Sequence, residues 1–573
     1  MPVHNAEIAG AFDHLADLLE IEGANPFRVR AYRRAARTIE DLPRSAADLI
    51  ASGEDLAELP GIGADLAGKI AEFVQTKHLA VLDEAKGRLP AGLVELTNVP
   101  GIGPKRAKVL YDKLKVHSLA DLKKAATAGR LHSLVGFGVK SESKLLDELK
   151  RRREVPRRFR LDIARDFAEP LLEHLKRSKG VVQATIAGSY RRRRDTVGDL
   201  DILVAAHTGS DVMQRFVTYD EVGEVAAHGE TRATVVLRSG LQVDLRVVPE
   251  ESYGAALHYF TGSKAHNIAI RKIGLERGLK INEYGVFRGA RRVAGETEES
   301  VYDQVHLPFI PPELREDRGE IAAAAAHRLP KLVELTNIRG DLHVHTNESD
   351  GKNTLREMAE AARALGYEYL AVTDHSQHVT IAKGLDPRRL ARQIKAVDKL
   401  NAQLKGIRIL KGIELDILAD GCLDLPDAIL ADLDFTVCAI HYKFNLTETE
   451  QTERVLRAMD NRHFNIFAHP TGRLLGERAG YPIDLERILE AAKERGCSIE
   501  LNAHPTRLDI DDHVCRLAKD IGVKVALGTD AHSIDGLQFM KYGIGQARRG
   551  WLEPKDVLNT RPLHDLAKLL ARR

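Results

Sequence analysis

The sequence predicts a multidomain protein, helical at its N-terminal end, α+β in its middle, and a barrel of βα units at its C-terminal end. Three observations lead to that reading. A chain of 573 residues should hold about three to five domains at roughly 100 to 200 residues each. Hydrophobic residues make up 43% and charged residues 29%, ordinary for a globular protein and too apolar for a disordered one. The hydrophobic period also changes twice along the chain.

Apolar residues recur at helical spacing in Ile8 to Ile21, Ala31 to Leu42, Leu66 to Phe73 and Ala107 to Leu114, with Gly and Pro turns between them. After a helix-like stretch from Ile163 to Leu175, short β-rich segments follow at Ala184 to Ala187, Asp201 to Val204, Ala233 to Leu237 and Val243 to Val248. Pro308 to Pro312 and the Ala-rich Ile321 to Ala326 read as a connection, the latter helical. Beyond about residue 335, seven β-like segments alternate with helical ones: Asp341 to His345, Tyr369 to Thr373, Ile407 to Leu415, Phe435 to Ala439, Asn465 to Ala468, Ser498 to Leu501 and Val523 to Leu527. That alternation is the pattern of a βα barrel.

No run approaches about 18 apolar residues, and Met1 to Gly10 has neither a basic nor an apolar leader region, so a membrane span or secretion is not expected. The four cysteines, Cys422, Cys438, Cys497 and Cys515, show no C-x-x-C spacing, which fits a reducing cytoplasm and no disulfide framework. The net charge of +2 is unevenly spread: +5 over residues 1–160, −1 over 161–340 and −2 over 341–573. Arg28, Arg30, Arg33, Arg34 and Arg37, then Arg151, Arg152, Arg153, Arg157 and Arg158, form two basic clusters. They suit a polyanionic partner, or equally a solvated helix face.

Leu59-Pro60-Gly61-Ile62-Gly63 and Val99-Pro100-Gly101-Ile102-Gly103-Pro104-Lys105 each lead into a helix, with a weaker copy at Val135-Gly136-Phe137-Gly138. Two glycines around an apolar residue let the backbone turn tightly and present N–H groups at a helix N-terminus, where phosphate is favoured. The repeat resembles helix-hairpin-helix elements, which grip the DNA backbone without reading sequence.

Gly188-Ser189-Tyr190-Arg191-Arg192 followed by Gly198-Asp199-Leu200-Asp201 places two carboxylates on one face at the start of a strand. Asp244, in Val243-Asp244-Leu245-Arg246, adds a third on what should be a neighbouring strand. Three hard oxygen donors so placed suit two Mg²⁺ or Mn²⁺ ions, as nucleotidyl transfer requires, with Ser189 and Arg192 meeting phosphate.

These motifs, with Asn25-Pro26-Phe27-Arg28-Val29-Arg30-Ala31-Tyr32-Arg33 before them and Tyr259-Phe260-Thr261-Gly262-Ser263 after, run in the order found in a family X DNA polymerase. The whole chain resembles the bacterial type with a C-terminal polymerase-and-histidinol-phosphatase (PHP) domain. The resemblance implies a small helical DNA-end-binding domain over 1–85 and helix-hairpin-helix fingers over 86–154. A nucleotidyltransferase palm over 155–250, a thumb over 251–317, a linker over 318–336 and a distorted (β/α)7 PHP barrel over 337–573 follow. It implies catalytic, metal-binding Asp199, Asp201 and Asp244, and nucleotide contacts from Ser189, Arg192, Gly198, Tyr259, Phe260, Gly262, Lys264 and Asn267. Tyr259 and Phe260 would be the sugar-side barrier favouring deoxyribose, and Asn267 would reach the nascent pair in the minor groove. DNA contacts would come from Gly61, Gly63, Gly101, Gly103, Lys105 and, beside the template, Arg271.

Three positions depart from relatives. Lys264 stands where some have an acid, Gln242 where some have a base, and Asp65 near Lys69 where the lyase-active members carry another lysine. Lys69 matches the Schiff-base lysine by spacing, but an amine nucleophile needs its charged form disfavoured, often by neighbouring cations.

The C-terminal region opens with Asp341-Leu342-His343-Val344-His345 and continues to Asp350; further donors stand at strand ends in His375, Glu414, His441, His469, Asp530 and His532. Nine N and O donors at the C-terminal ends of barrel strands are too many for one ion and about right for two or three. The set resembles that of PHP phosphoesterases, which implies Zn²⁺ or Mn²⁺ and metal-assisted phosphoester hydrolysis. His504, in Ala503-His504-Pro505, is read as supporting or substrate-facing, and Arg507 as a substrate-phosphate contact or a surface residue.

The resemblance thus implies gap-filling synthesis from dNTPs on gapped or nicked duplex DNA, with a 3′–5′ exonuclease processing ends, in a monomer associated with the nucleoid. Two alternatives are a PHP phosphatase or nuclease with a non-catalytic polymerase-like half, and a non-enzymatic scaffold for DNA ends.

Overall fold

The computed structural model describes residues 5–40, 46–59, 61–89, 96, 102–132, 134 and 158–571. Two compact units divide at residue 157, Met1–Arg157 and Arg158–Arg573.

The first unit is helical among its described residues: α1 (Asn5–Glu22), α2 (Pro26–Glu40), α3 (Ala46–Ala51), α4 (Ala64–Thr76), α5 (Ala80–Arg88), α6 (Pro104–Leu114) and α7 (Leu119–Thr127). Helix α2 starts five residues before its periodicity becomes visible, because Pro26 fits a first helical turn whose N–H groups need no intrahelical partner. One apolar cluster ties the helices together, with Ile8, Phe12, Leu15, Ile39, Ile70, Leu110 and Leu122 buried in it.

In the second unit a five-stranded sheet comes first, built from β1 (Val181–Ile186), β2 (Asp199–Ala206), β3 (Val222–His228), β4 (Arg232–Leu237) and β5 (Gln242–Val248). Its order is β1-β2-β5-β4-β3, and β2 and β5 run parallel at its centre. Strand β3 escaped the sequence reading because it is an edge strand without an inward apolar alternation; only Val222 is even half-buried. The helices Tyr253–Thr261 and Lys264–Glu276 follow, then a small antiparallel sheet of β6 (Lys280–Asn282), β7 (Gly285–Arg288) and β8 (Arg291–Ala294).

The stretch read as a connection is packed. Leu307, Ile310, Leu314 and Ala324 join an apolar cluster with Val301 and Tyr302. Glu320, fully buried, meets His266 Nδ1 at 2.6 Å and accepts from the Asp317 and Arg318 amides. A glutamate in a polar-looking segment reads as solvated until its buried partners are known.

The C-terminal region contributes β9 (Gly340–Asp341), β10 (Tyr369–Val372) and β11 (Arg408–Lys411) in one parallel ladder. A second ladder is β12 (Glu414–Asp416), β13 (Val437–Ala439), β14 (Ile466–Phe467), β15 (Ser498–Asn502) and β16 (Val525–Gly528). The His375–Glu414 bridge joins the ladders on one side and the Val344–Ala531 bridge returns the last strand to the first. Parallel strands buried on both faces carry continuous apolar runs, as in Tyr369 to Val372, all four residues buried. Among the described residues, no helix is long and apolar enough to cross a membrane.

Candidate functional site

In the central sheet the parallel register pairs Asp201 with Asp244 and Asp199 with Gln242. Side chains two apart on β2 share a face, so Asp199, Asp201 and Asp244 converge. Asp244 is fixed by hydrogen bonds from Thr234 Oγ1 and from Gln242 Nε2, the latter at 2.8 Å. Gln242 therefore orients a carboxylate. Burial, then the charges of Asp199 and Asp244, push the Asp201 carboxyl up to about 7. Such mutual repulsion is relieved by a divalent cation. The turn that follows β1 must be glycine: Gly188 has φ +62°, and a Cβ there would lie 2.2 Å from Asp201 Oδ2.

A cleft of about 450 Å³ opens over Asp199 and Asp201, lined by Ser189, Arg192, Gly198, Phe260, Gly262 and Lys264, all expected, and by Arg158 and Arg194, which sequence reasoning did not place at the site. Tyr259 and Phe260 pack edge to face at 5.2 Å, and Arg246 lies 5.4 Å over the Phe260 ring. Asn267 Nδ2 donates to the carbonyls of Tyr259 and Gly262 at 2.6 and 3.2 Å, while its buried Oδ1 has no partner. Gly262 has no room for a side chain, because a Cβ would meet that Oδ1 at 2.5 Å. Arg271 is exposed on the following helix.

Arg192 does not project freely into the cleft. Its Nε donates to Glu316 Oε1 at 3.0 Å and its Nη1 to the Thr261 carbonyl at 2.8 Å. Glu316 is shared with Arg549, at 3.0 Å, and Arg549 also donates to Asp512 Oδ2 at 2.6 Å. Glu316 and Asp512 carried no motif, and only the fold brings them to the arginines.

In the barrel all nine expected donors converge. Glu414 stands at the centre. Its Oε2 faces His375 Nδ1 at 2.8 Å and the Nε2 atoms of His343 and His345 at 3.5 Å each; its Oε1 faces His469 Nε2 at 2.9 Å and His441 Nε2 at 3.1 Å. Asp530 Oδ1 lies 3.2 Å from His345 Nε2, and Asp350 lies 3.5 Å from His532 Nε2 and 3.7 Å from His375 Nε2. Three donor groups are close enough to share an ion: His345, Asp350, His375 and His532; His343, His345 and Asp530; and His375, Glu414 and His441.

The donors fit divalent cations on their own geometry. His343 Nε2, both ring nitrogens of His345, His375 Nδ1 and Glu414 Oε2 are buried without a hydrogen-bond partner, a costly state that metal ligation removes. Burial opposes charge on His441 and His532, yet their carboxylate neighbours push both imidazoles up to about 9. The site is thus rich enough in negative charge to hold protons where a cation would sit.

Supporting acids lie behind the ligands. Glu500 Oε1 meets His343 Nδ1 at 2.6 Å and its Oε2 accepts from the His469 amide. Asp374 accepts from Thr346, Ser349 and Gln393, bracing the loop that carries Asp350. Asp341 accepts from Thr529 and the His343 amide. Such partners fix ring orientation and tautomer. Sequence reasoning missed all three; the available signal was an acid inside an otherwise apolar strand, as in Ser498-Ile499-Glu500-Leu501. His504 is half-buried, its Nδ1 2.7 Å from Thr506 Oγ1, and Arg507 Nε lies 3.6 Å from Asp530 Oδ2.

In the helical unit, Gly63 and Gly103 cap α4 and α6 with no side-chain hydrogen bond, leaving first-turn N–H groups open to an anion, and Lys105 is exposed in the first turn of α6. Gly61 has φ +79°, and a Cβ there would run into the Arg34 side chain. Gly101, the Val135–Gly138 copy and Arg151, Arg152, Arg153 and Arg157 lie outside the described residues. Within the Arg28–Arg37 cluster, Arg33 is paired with Asp17 and Glu20 at 2.7 and 3.0 Å. Lys69 Nζ donates to Asp65, so the amine that matches the lyase lysine by spacing is hydrogen-bonded to a carboxylate.

A helical hairpin unit, a sheet carrying three acids and a barrel of histidines together define a polymerase joined to a metal-dependent phosphoesterase. Family models match in that order: a helix-hairpin-helix domain over 3–79, a SAM-like helix-hairpin-helix tandem over 93–151, a DNA polymerase beta palm over 156–250, a DNA polymerase beta thumb over 256–316 and a PHP domain over 341–504. The chain is 40% identical over 574 residues, covering 100% of both sequences, to the DNA polymerase/3′-5′ exonuclease PolX of Bacillus subtilis strain 168. Probable phosphatases of Acetivibrio thermocellus and of Thermoanaerobacter sp. strain X514 are 35% and 32% identical, each over 34% of this chain and 78% of their own length. The chain belongs to the bacterial family X DNA polymerases with a C-terminal PHP domain.

Proposed function

We propose that this DNA polymerase and 3′–5′ exonuclease fills short gaps in damaged duplex DNA from dNTPs and trims 3′ ends at its barrel centre. The observation that carries this reading is the coexistence of two complete donor sets, the three sheet acids and the nine barrel donors, in one compact unit.

At the polymerase site Asp199, Asp201 and Asp244 would hold two Mg²⁺ or Mn²⁺ ions, which lower the charge barrier between primer hydroxyl and triphosphate. Thr234 and Gln242 hold Asp244 in place. Ser189 and Lys264, in the cleft wall, would bind triphosphate oxygens, with Arg192 held against the same wall by Glu316. The Tyr259–Phe260 pair would stand against the sugar, and Asn267, whose Nδ2 donates to the carbonyls of Tyr259 and Gly262, would stand beside the nascent pair.

At the barrel site two or three Zn²⁺ or Mn²⁺ ions would supply Lewis acidity for phosphoester hydrolysis. Glu414, facing five imidazoles, would be among the residues that hold them; Glu500 and Asp374 hold the ligand geometry; Arg507 would meet a phosphate oxygen. The open helix N-termini behind Gly63 and Gly103, with Lys105, would grip the DNA backbone, and affinity should fall steeply with salt.

The test is a labelled primer at a one-nucleotide gap with a 5′-phosphate, incubated with Mn²⁺ and with dNTPs added or withheld. Extension with dNTPs and shortening without them is the expected result. Shortening under both conditions would make the palm a DNA-binding platform, and tight binding with neither reaction would make the chain a scaffold.

A further inference from the structure

Ile381 is 96% exposed, more than any other large apolar side chain among the described residues. Its position is not an accident of a slack loop. Residues 376–385 leave the barrel directly after the donor His375 and return to it, Ser376 bridging Leu385 and the Leu385 amide donating to the His375 carbonyl at 2.7 Å. Within the excursion the amides of Val379, Ala382, Lys383 and Gly384 all find carbonyl partners between 3.1 and 3.2 Å. At Gly384 a Cβ would collide with the Ser376 carbonyl, so the two arms of the loop are in close contact.

The loop is also tied across the donor set. Gln377 Nε2 donates to the Asp424 carbonyl at 2.6 Å, and the His378 amide to Asp424 Oδ2 at 3.0 Å. Arg389 donates to the Lys383 and Gly384 carbonyls on one side and to the Glu348 carbonyl on the other, joining the loop to the segment that carries Asp350. A well-bonded support thus holds one branched apolar side chain up in water on the loop that follows the donor His375, with exposed Lys383 two residues on.

An aliphatic side chain held in solvent on a braced loop is the device by which proteins part stacked bases, inserting between them while cations hold the phosphates. Hydrolysis at a paired 3′ end would be helped by it, because the terminal phosphodiester of a paired strand must leave the helix to reach a recessed centre. We propose that Ile381 is a wedge that separates the terminal base pair of a duplex, delivering the freed 3′ nucleotide to the barrel donors. This rests on the 3′-end hydrolysis proposed above.

The test uses the full chain with Mn²⁺, no dNTPs and three 5′-labelled strands: one paired to its 3′ end, one ending in a mismatch and one single-stranded. The Ile381→Ser variant should shorten the paired end about tenfold more slowly than wild type, while its rates on the mismatched and single-stranded ends stay within about twofold, because those ends need no separation. Ile381→Leu should restore the paired-end rate, and gap filling by both variants should match wild type. Equal rates for Ile381→Ser and wild type on the paired end, or an equal loss on all three strands, would overturn the wedge. A wild-type protein that shortens none of the strands would overturn the hydrolytic reading and the wedge with it.

Discussion

Arg549, the last residue of a helix in the barrel region (Met540–Arg549), donates a 2.9 Å hydrogen bond to the backbone carbonyl of Arg192, beside the polymerase cleft. The same guanidinium holds Glu316, which in turn holds the Arg192 side chain, and Asp512, which also pairs with Arg318 at 2.7 Å. Arg549 and Glu316 are both almost wholly inaccessible to water. Removing one partner of a buried pair strands the others, so Arg549→Met should destabilise the second unit by about 3 kcal/mol. Thermal unfolding should register that loss, and dNTP affinity should fall at temperatures where the variant is folded.

Separate chemistry predicts separable variants. Asp201→Ala should reduce primer extension by at least about a thousandfold, since all three carboxylates share the charge of the same ions, and leave 3′ shortening intact. His345→Ala should do the reverse. Both are read from one gel, and loss of both reactions from either substitution would contradict two independent sites.

Glu414 predicts a stoichiometry. Because its two oxygens face five imidazoles, Glu414→Gln should lower the metal content of the purified protein by more than one equivalent, measured by elemental analysis. His469→Gln, at the edge of the cluster, should lower it by one or less.

Acid stability follows from Glu298. Burial would raise its carboxyl, but hydrogen bonds and charge from Arg191 and Arg315 overcome that and hold it at about 2, below its ordinary 4.5. A carboxylate held lower in the fold than in the unfolded chain stabilises the fold above its ordinary value. That stabilisation is lost as pH falls from about 4.5 towards 2. It is worth roughly 3 kcal/mol, so the fold of Glu298→Gln should start less stable at neutral pH and lose less between pH 5 and 3 in denaturant titrations. Parallel losses in the two proteins would contradict the assignment.

Much of this molecule is legible in its sequence. The spacing of Asp199 and Asp201 set their common face, and the neighbouring strand for Asp244 followed from its apolar alternation; the structure adds that Asp244 lies directly opposite Asp201. The barrel donors were readable because each stands at the end of a β-like run. What could not be read was whatever depends on partners remote in sequence. Glu500, Asp374 and Asp341 are acids whose burial becomes visible only with the histidines and hydroxyls around them. Arg192 reads as a free phosphate ligand until Glu316, 124 residues away, is found against it. The Ala-rich stretch around Glu320 reads as a tether for the same reason.

Trp551 is buried in the apolar cluster that also holds Tyr302 and Leu314, in the thumb-matched part of the chain. An indole given up by one domain to complete another's interior makes the two a poor pair for recombination. A gene cut after residue 317 would yield a polymerase fragment with a hole in its core and Glu316 stripped of Arg549. Any shortened version of this protein should carry a compensating large apolar residue near Leu314 before its solubility or activity is compared with the whole.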